Sequence, residues 1–129
     1  MTTYKDAGVD IDAANTGLKK VKKHAKTTFN KYTLSDIGSF GGCFDFPKKN
    51  FDKPVLVSSV DGVGTKLLLA ILADKHDTIG QCLVNHCVND ILVIGAKPMF
   101  FLDYFAAGKL DNKILDNVIK GFSIACKEN

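Results

Sequence analysis

Three stretches of this chain carry apolar residues at three- and four-residue steps, and that spacing limits most of what it can fold into. Over residues 12–29 the series is Ala14, Leu18, Val21, Ala25 and Phe29. Over 78–94 it is Ile79, Leu83, Cys87, Ile91 and Ile94, and from Asp111 to about Lys127 it is Ile114, Leu115, Val118, Ile119, Phe122 and Ala125. Each spacing predicts a helix with one apolar face. Asp12 and Asp111 are placed to cap the first and third of these helices, and Gly95, just before Lys97-Pro98, stops the second, which is expected to be largely buried. Such faces need a partner layer.

Two other segments point to that layer. Residues 55–60 (Val-Leu-Val-Ser-Ser-Val) form a β-branched run that ends at Asp61-Gly62, and residues 99–105 (Met-Phe-Phe-Leu-Asp-Tyr-Phe) are dense in aromatics and suit a central strand. A short helix is expected over 65–73. Residues 30–54, with Gly38, Gly41, Gly42 and Pro47, read as a loop that serves either as a flexible cover or as a close-approach surface. The coarse order is α–loop–β–α–α–β–α. It predicts one α/β (α+β) unit with a mixed or antiparallel sheet packed against helices.

Composition excludes several function classes. At 129 residues, 46% hydrophobic and 24% charged, the chain has the make-up of one globular domain rather than a disordered segment. The longest apolar run, 67–73, falls far short of the roughly 18–20 residues a membrane span requires, and the N-terminus has no apolar signal region. No membrane association is expected, and the reading is cytoplasmic. The net charge is +3 and all 17 basic residues are Lys, so the guanidinium that reads guanine edges is missing and nucleic acid is not an expected partner. Lys19, Lys20, Lys22, Lys23 and Lys26 are read as a solvated helix face rather than a phosphate patch. Cys43, Cys82, Cys87 and Cys126 form no C-x-x-C pair and are expected as free thiols in a reducing compartment.

The sharpest local feature is Asp61-Gly-Val-Gly-Thr-Lys66. Glycines let backbone N–H groups approach an anion, and Lys66 can neutralise charge, which is phosphate chemistry; the order of a Walker A loop is absent. Taken alone, a structural turn with an exposed Lys explains the string about as well. Asp61, Asp90 and Asp103 each sit beside or within apolar elements, where a carboxylate calls for a cation or a hydrogen-bond network. Mg²⁺, held by a few carboxylates and phosphate oxygens, would supply that cation. The alternative, that Asp90 faces solvent or pairs with His86 one turn earlier, stays open at this point. Cys82 and Cys87 are five residues apart and point to different helix faces, so no zinc site is expected with His86.

Six blocks, in order and in register, then carry a resemblance. They are Tyr4-Lys-Asp-Ala-Gly-Val-Asp10-Ile-Asp12, Phe40-Gly-Gly42, Asp61-Gly-Val-Gly-Thr-Lys66, His76-Asp-Thr-Ile-Gly80, Cys87-Val-Asn-Asp90, and Phe100-Phe-Leu-Asp-Tyr-Phe-Ala106 followed by Gly108-Lys-Leu-Asp111. Together they resemble the phosphoribosylformylglycinamidine cyclo-ligases, also called aminoimidazole ribonucleotide synthetases. The resemblance implies ATP-dependent closure of formylglycinamidine ribonucleotide to aminoimidazole ribonucleotide in purine biosynthesis, with ATP and Mg²⁺ as cofactors. It implies Asp61 and Asp90 as metal-holding acids, Gly62, Gly64, Thr65 and Lys66 as the phosphate turn, and Lys66 and Asp61 as catalytic residues. Asn89, Asp103, Lys5 and Asp6 match further ATP-site positions, and Gly41 and Gly42 match a flexible loop over the nucleotide.

The resemblance also implies a homodimer whose sheets join in a barrel. It makes residues 1–129 an incomplete N-terminal ATP-binding domain that lacks the family's C-terminal domain and has no cyclo-ligase activity by itself. Against the family pattern, Ser59-Val60 replaces Gly-Thr, Asn85-His86 replaces Ala-Met, and Ile37-Gly-Ser-Phe40 replaces a more glycine-rich stretch. A non-catalytic ATP-binding or dimerisation module is the alternative from a different class. Selenophosphate synthetases and thiamine-monophosphate kinases share the acids but not the strings at 61–66 and Asp103-Tyr104.

Overall fold

A computed structural model describes residues 3–129, and its regular structure is helical. Four α-helices follow one another: α1 (Ile11–Lys26), α2 (Lys66–Leu72), α3 (Asp77–Leu92) and α4 (Asn112–Glu128), with a single 3-10 turn at Lys48–Asn50.

α1 is capped by Asp10, not Asp12: the Asp10 carboxylate accepts from the Ala13 N–H at 2.9 Å, which leaves Asp12 inside the first turn, where its charge suits the helix N-terminus. The helix stops three residues before Phe29. The hydroxyls of Thr27 and Thr28 donate to the carbonyls of His24 and Ala25 at 2.7 and 2.8 Å, satisfying the orphan acceptors of the last turn. α4 begins as expected, with the Asp111 carboxylate accepting from the N–H groups of Lys113 and Ile114 at 2.7 and 3.1 Å. α3 ends where Gly95 takes φ +75°, a conformation that suits glycine.

The core follows from the apolar face of α4. Leu115, Val118, Phe122 and Ala125 are buried, and α4 packs against α1 on one side and α3 on the other. Against α3, Val84 joins Val118, Phe122 and Ala125 in the central cluster, with Phe101 and Phe105 packed onto it. Phe101 meets Phe122 edge to face with ring centroids 5.4 Å apart. Against α1, Gly17 and Val21 are buried, the Asn112 side chain donates to the Ala13 carbonyl at 3.0 Å, and His24 lies 3.2 Å from Asp116. α3 is less buried than its sequence implies. Only Ile79, Gly80 and Val84 are buried along it, because α2 covers little of its other side.

Among the described residues the expected mixed or antiparallel sheet is not present, and with it goes the α/β (α+β) assignment and the barrel of joined sheets. Among the described residues the pairing is limited to an isolated antiparallel bridge between Thr33 and Phe44. Residues 55–60 and 99–105 do not pair with each other or with any other segment, and a strand is stabilised only through the partner that takes its backbone hydrogen bonds. The aromatic segment nevertheless alternates. Phe101 and Phe105 turn towards α4, while Phe100, Leu102 and Tyr104 are exposed. Val55, Leu56 and Val60 also remain exposed.

The glycine-bearing loop is pinched at its base, where the Leu34 N–H donates to the Cys43 carbonyl and the Asp45 N–H to the Tyr32 carbonyl. Phe44 stacks obliquely between Tyr32 and Phe100. Lys22 and Lys26 fold onto Asp36 of this loop at 3.3 and 3.5 Å, while Lys19, Lys20 and Lys23 face solvent, so the lysine run is mainly a solvated face.

The two N-caps make one acid-stability prediction. The Ala13 N–H, then Lys5, hold the Asp10 carboxyl below the ordinary value near 3.8, and the Ile114 and Lys113 N–H groups do the same for Asp111. Because folding lowers these pKa values, the caps contribute fully above the ordinary value, and their contribution is lost as the pH falls through the folded values. Asp111→Asn keeps a capping side chain without the charge. Thermal melts followed by far-UV circular dichroism should show the parent more stable than this variant at about pH 6, with the gap closing towards about pH 2. A gap independent of pH would show that the charge of Asp111 does not matter.

Candidate functional site

The segment that leads into α2 lies against α3 and carries most of the chemistry. Glycine at 62 and 64 leaves open space where a side chain would stand, and Gly64 takes φ +69°, so the turn exposes backbone on one side. Thr65 is the N-cap residue of α2 but makes no side-chain cap, and Lys66 opens the helix. α2 has only 7 residues, so its dipole adds little, and Lys66 is the cation at this turn. The Lys66 ammonium rests 3.8 Å from the Cys82 sulfur on α3. Rotation of a flexible four-carbon stem would release it towards the glycine turn.

Two contacts tie this segment to α3. The Ser59 hydroxyl donates to Asp90 Oδ2 at 2.6 Å, and His86 Nδ1 lies 3.6 Å from Asp61 Oδ2. Asp61 Oδ1 also accepts from the Gly62 N–H at 2.6 Å. The two segments run antiparallel, 59 opposite 90 and 61 opposite 86. Four residues of helix rise about 6 Å and two residues of extended chain reach about 6.6 Å, so both contacts can form together. Asp61 and Asp90 are thereby brought to one ladder beside the glycine turn. His86 faces Asp61 rather than Asp90, and the partner of Asp90 is Ser59.

The other expected positions are less gathered. Asn89 is exposed at the end of α3, next to Asp90. Asp103 is exposed as a residue, yet neighbouring protein atoms crowd its carboxyl and raise its pKa, against an opposing hydrogen bond from the Tyr104 N–H. Lys5 pairs with Asp10 at 3.2 Å. Asp6 closes a local turn by accepting from the Thr3 N–H and hydroxyl at 2.9 and 2.8 Å, contacts that lower its pKa. Gly41 and Gly42 lie exposed in the pinched loop, with Leu102 against Gly42. Among the described residues no hydrogen bond or ion pair joins these groups to the ladder. The four cysteines are free, and burial pushes the Cys126 thiol up to about 11.

Sequence reasoning singled out both acids but missed that Ser59 contacts Asp90 and that His86 faces Asp61. The signal was the match between a two-residue step before the glycine turn and a four-residue step on α3.

The donor set fits Mg²⁺ of one kind only. Among the described residues no group of three or more His, Cys, Asp or Glu side chains could hold a metal ion, so the protein offers no complete cage. Two carboxylates about one helical turn apart beside a glycine turn would suit a Mg²⁺ that keeps waters, through which one of the acids would hold it, and that takes its remaining ligands from phosphate oxygens. No helix among the described residues is long and apolar enough to cross a membrane.

Comparison with known proteins agrees with the motif pattern. The family model described as AIR synthase related protein, N-terminal domain, matches residues 48–129. Proteins named phosphoribosylformylglycinamidine cyclo-ligase from Bacillus thuringiensis (strain Al Hakam), Bacillus mycoides (strain KBAB4) and Bacillus cereus (strain B4264) are each 54% identical to the chain over 125 residues. The alignments cover 97% of this chain and 36% of each relative, so the chain spans about a third of the length of the curated relatives it matches. With its glycine turn and both acids inside the matched region, the chain belongs to the AIR synthase related family, by its N-terminal domain.

Proposed function

We propose that this chain is the ATP-binding part of a phosphoribosylformylglycinamidine cyclo-ligase, which closes formylglycinamidine ribonucleotide to aminoimidazole ribonucleotide in the cytoplasm. The observation that carries the reading is the placement of Asp61 and Asp90 on one ladder beside the glycine turn and Lys66. The relatives' name supplies the reaction.

In this reading Asp61 and Asp90 hold Mg²⁺, and Gly62 and Gly64 present backbone N–H groups to the ATP phosphates. Lys66 turns from Cys82 to neutralise phosphate charge, and Asn89 and Thr65 add polar contacts at the rim. Mg²⁺, when bound, offsets the charge of the phosphates. Gly41 and Gly42 let the pinched loop approach the nucleotide, with Asp103, Lys5 and Asp6 as its outer contacts. Such a site accelerates reaction by positioning and charge neutralisation rather than by covalent chemistry. A homodimer completes the proposal, supported by the exposed row of Phe100, Leu102 and Tyr104.

Calorimetric titration of the chain with ATP in the presence of Mg²⁺ tests the reading. The parent should bind, and Lys66→Ala should weaken binding about tenfold, equivalent to about 1.4 kcal/mol. No binding by the parent, or equal binding by both, would refute it.

A further inference from the structure

Ser59 and His86 have no part in the site as proposed, yet each touches one of its two acids. The Ser59–Asp90 contact at 2.6 Å lies in the range of a hydroxyl donating to an ionised carboxylate, where hydrogen bonds are short and directional. It engages Asp90 Oδ2, and Oδ1 of the same carboxylate accepts no protein hydrogen bond among the described residues. The His86 ring lies 3.6 Å from Asp61 Oδ2, just beyond hydrogen-bond length and within reach of one after a small shift of either side chain, while Asp61 Oδ1 accepts from the Gly62 N–H at 2.6 Å. Side chains this exposed add little to stability, 34% for His86 and 43% for Asp61, so the consequence of these contacts is geometric.

A carboxylate on an exposed surface samples several rotamers, and ordering it costs entropy when a cation binds. Two acids on different elements pay that cost twice and must also hold their relative placement. Here Asp90 is held by a hydroxyl from the opposite element, Asp61 lies between its neighbouring Gly62 N–H and the His86 ring, and the matched steps of helix and extended chain make the two cross-element contacts mutually consistent. We infer that Ser59 and His86 are positioning residues that pre-order Asp90 and Asp61, and so set the affinity of the site for a divalent cation bound with nucleoside triphosphate. The inference rests on the ATP and Mg²⁺ reading above.

The test is Mn²⁺ binding in the presence of ATP, read from the loss of the free Mn²⁺ signal in electron paramagnetic resonance. Ser59→Ala should weaken binding about fivefold to tenfold, and Ser59→Thr, which restores the hydroxyl, should stay within about twofold of the parent. At position 86, Asn sets an amide near the place of Nδ1 and Gln sets one near Nε2. His86→Asn should therefore stay within about twofold of the parent and His86→Gln should lose about threefold to fivefold, an order that a packing role would not produce.

Far-UV circular dichroism checks the helices of all four variants. If Ser59→Ala loses helix, the two His86 variants decide. A parent that binds Mn²⁺ with ATP while every variant stays within about twofold would overturn the positioning role and leave the ATP and Mg²⁺ reading standing. A parent that binds no Mn²⁺ with ATP would overturn both.

Discussion

Gly80→Ala or Gly121→Ala should destabilise the protein by about 3 kcal/mol or more, lowering the thermal midpoint by about 10 °C or more. A Cβ at position 80 would strike the Val118 carbonyl oxygen and stand 2.8 Å from the Phe122 nitrogen. One at 121 would strike the Asp77 carbonyl oxygen and stand 3.1 Å from the Gln81 nitrogen. These neighbours are backbone atoms of the facing helix, so no rotamer change relieves the overlap, and α3 and α4 would have to separate. Replacing a helical glycine with alanine normally gains up to about 1 kcal/mol of propensity, which the overlap exceeds. Separation would also loosen Val84, Phe122 and Ala125 in the core between these helices. Gly108→Ala is the control: nothing lies within 4 Å of its added Cβ, so its midpoint should stay level or rise slightly. Chemical denaturation of the three variants measures the difference, and Gly80→Ala or Gly121→Ala as stable as the parent would mean that the helices do not cross so closely.

Asp90→Asn should abolish Mg²⁺-dependent ATP binding, a loss of at least about 100-fold or about 2.7 kcal/mol, while leaving the fold intact. Asparagine keeps an oxygen that can accept from Ser59, so the ladder contact survives, and only the charge needed beside the phosphates is removed. Removal of that charge also lowers repulsion with Asp61, so the metal-free variant should melt at the parent's temperature or above it. Lys66→Ala differs in kind, weakening ATP binding without relieving any repulsion. Calorimetric titration paired with thermal melts separates the two. An Asp90→Asn protein that unfolds would mark the acid as structural, and one that binds Mg·ATP like the parent would mark it as dispensable.

The helices were legible because their information is local. The apolar steps in 12–29, 78–94 and 111–127 place side chains on one face through the period of the helix itself, and the structure starts and ends these helices within about three residues of that reading. The errors lay at the ends. Asp10 rather than Asp12 caps α1, because capping depends on which carboxylate reaches the third free N–H, and spacing alone leaves two candidates. Residues 55–60 and 99–105 have strand composition, but a strand exists only when another segment takes its hydrogen bonds, which composition cannot supply. In the second of these the strand-like alternation persists, because Phe101 and Phe105 are drawn onto α4 by hydrophobic burial, which needs no ladder.

By itself the sequence determined the helical faces and the family, and it singled out the glycine turn with Lys66 and the two acids as the candidate site, since each is written in residue types at short spacings. Only the tertiary structure decided that α3 and α4 meet at Gly80 and Gly121, that Ser59 holds Asp90, and that His86 faces Asp61. These contacts join residues 25 to 41 positions apart in the chain, and nothing local selects such partners until packing has set one backbone against another.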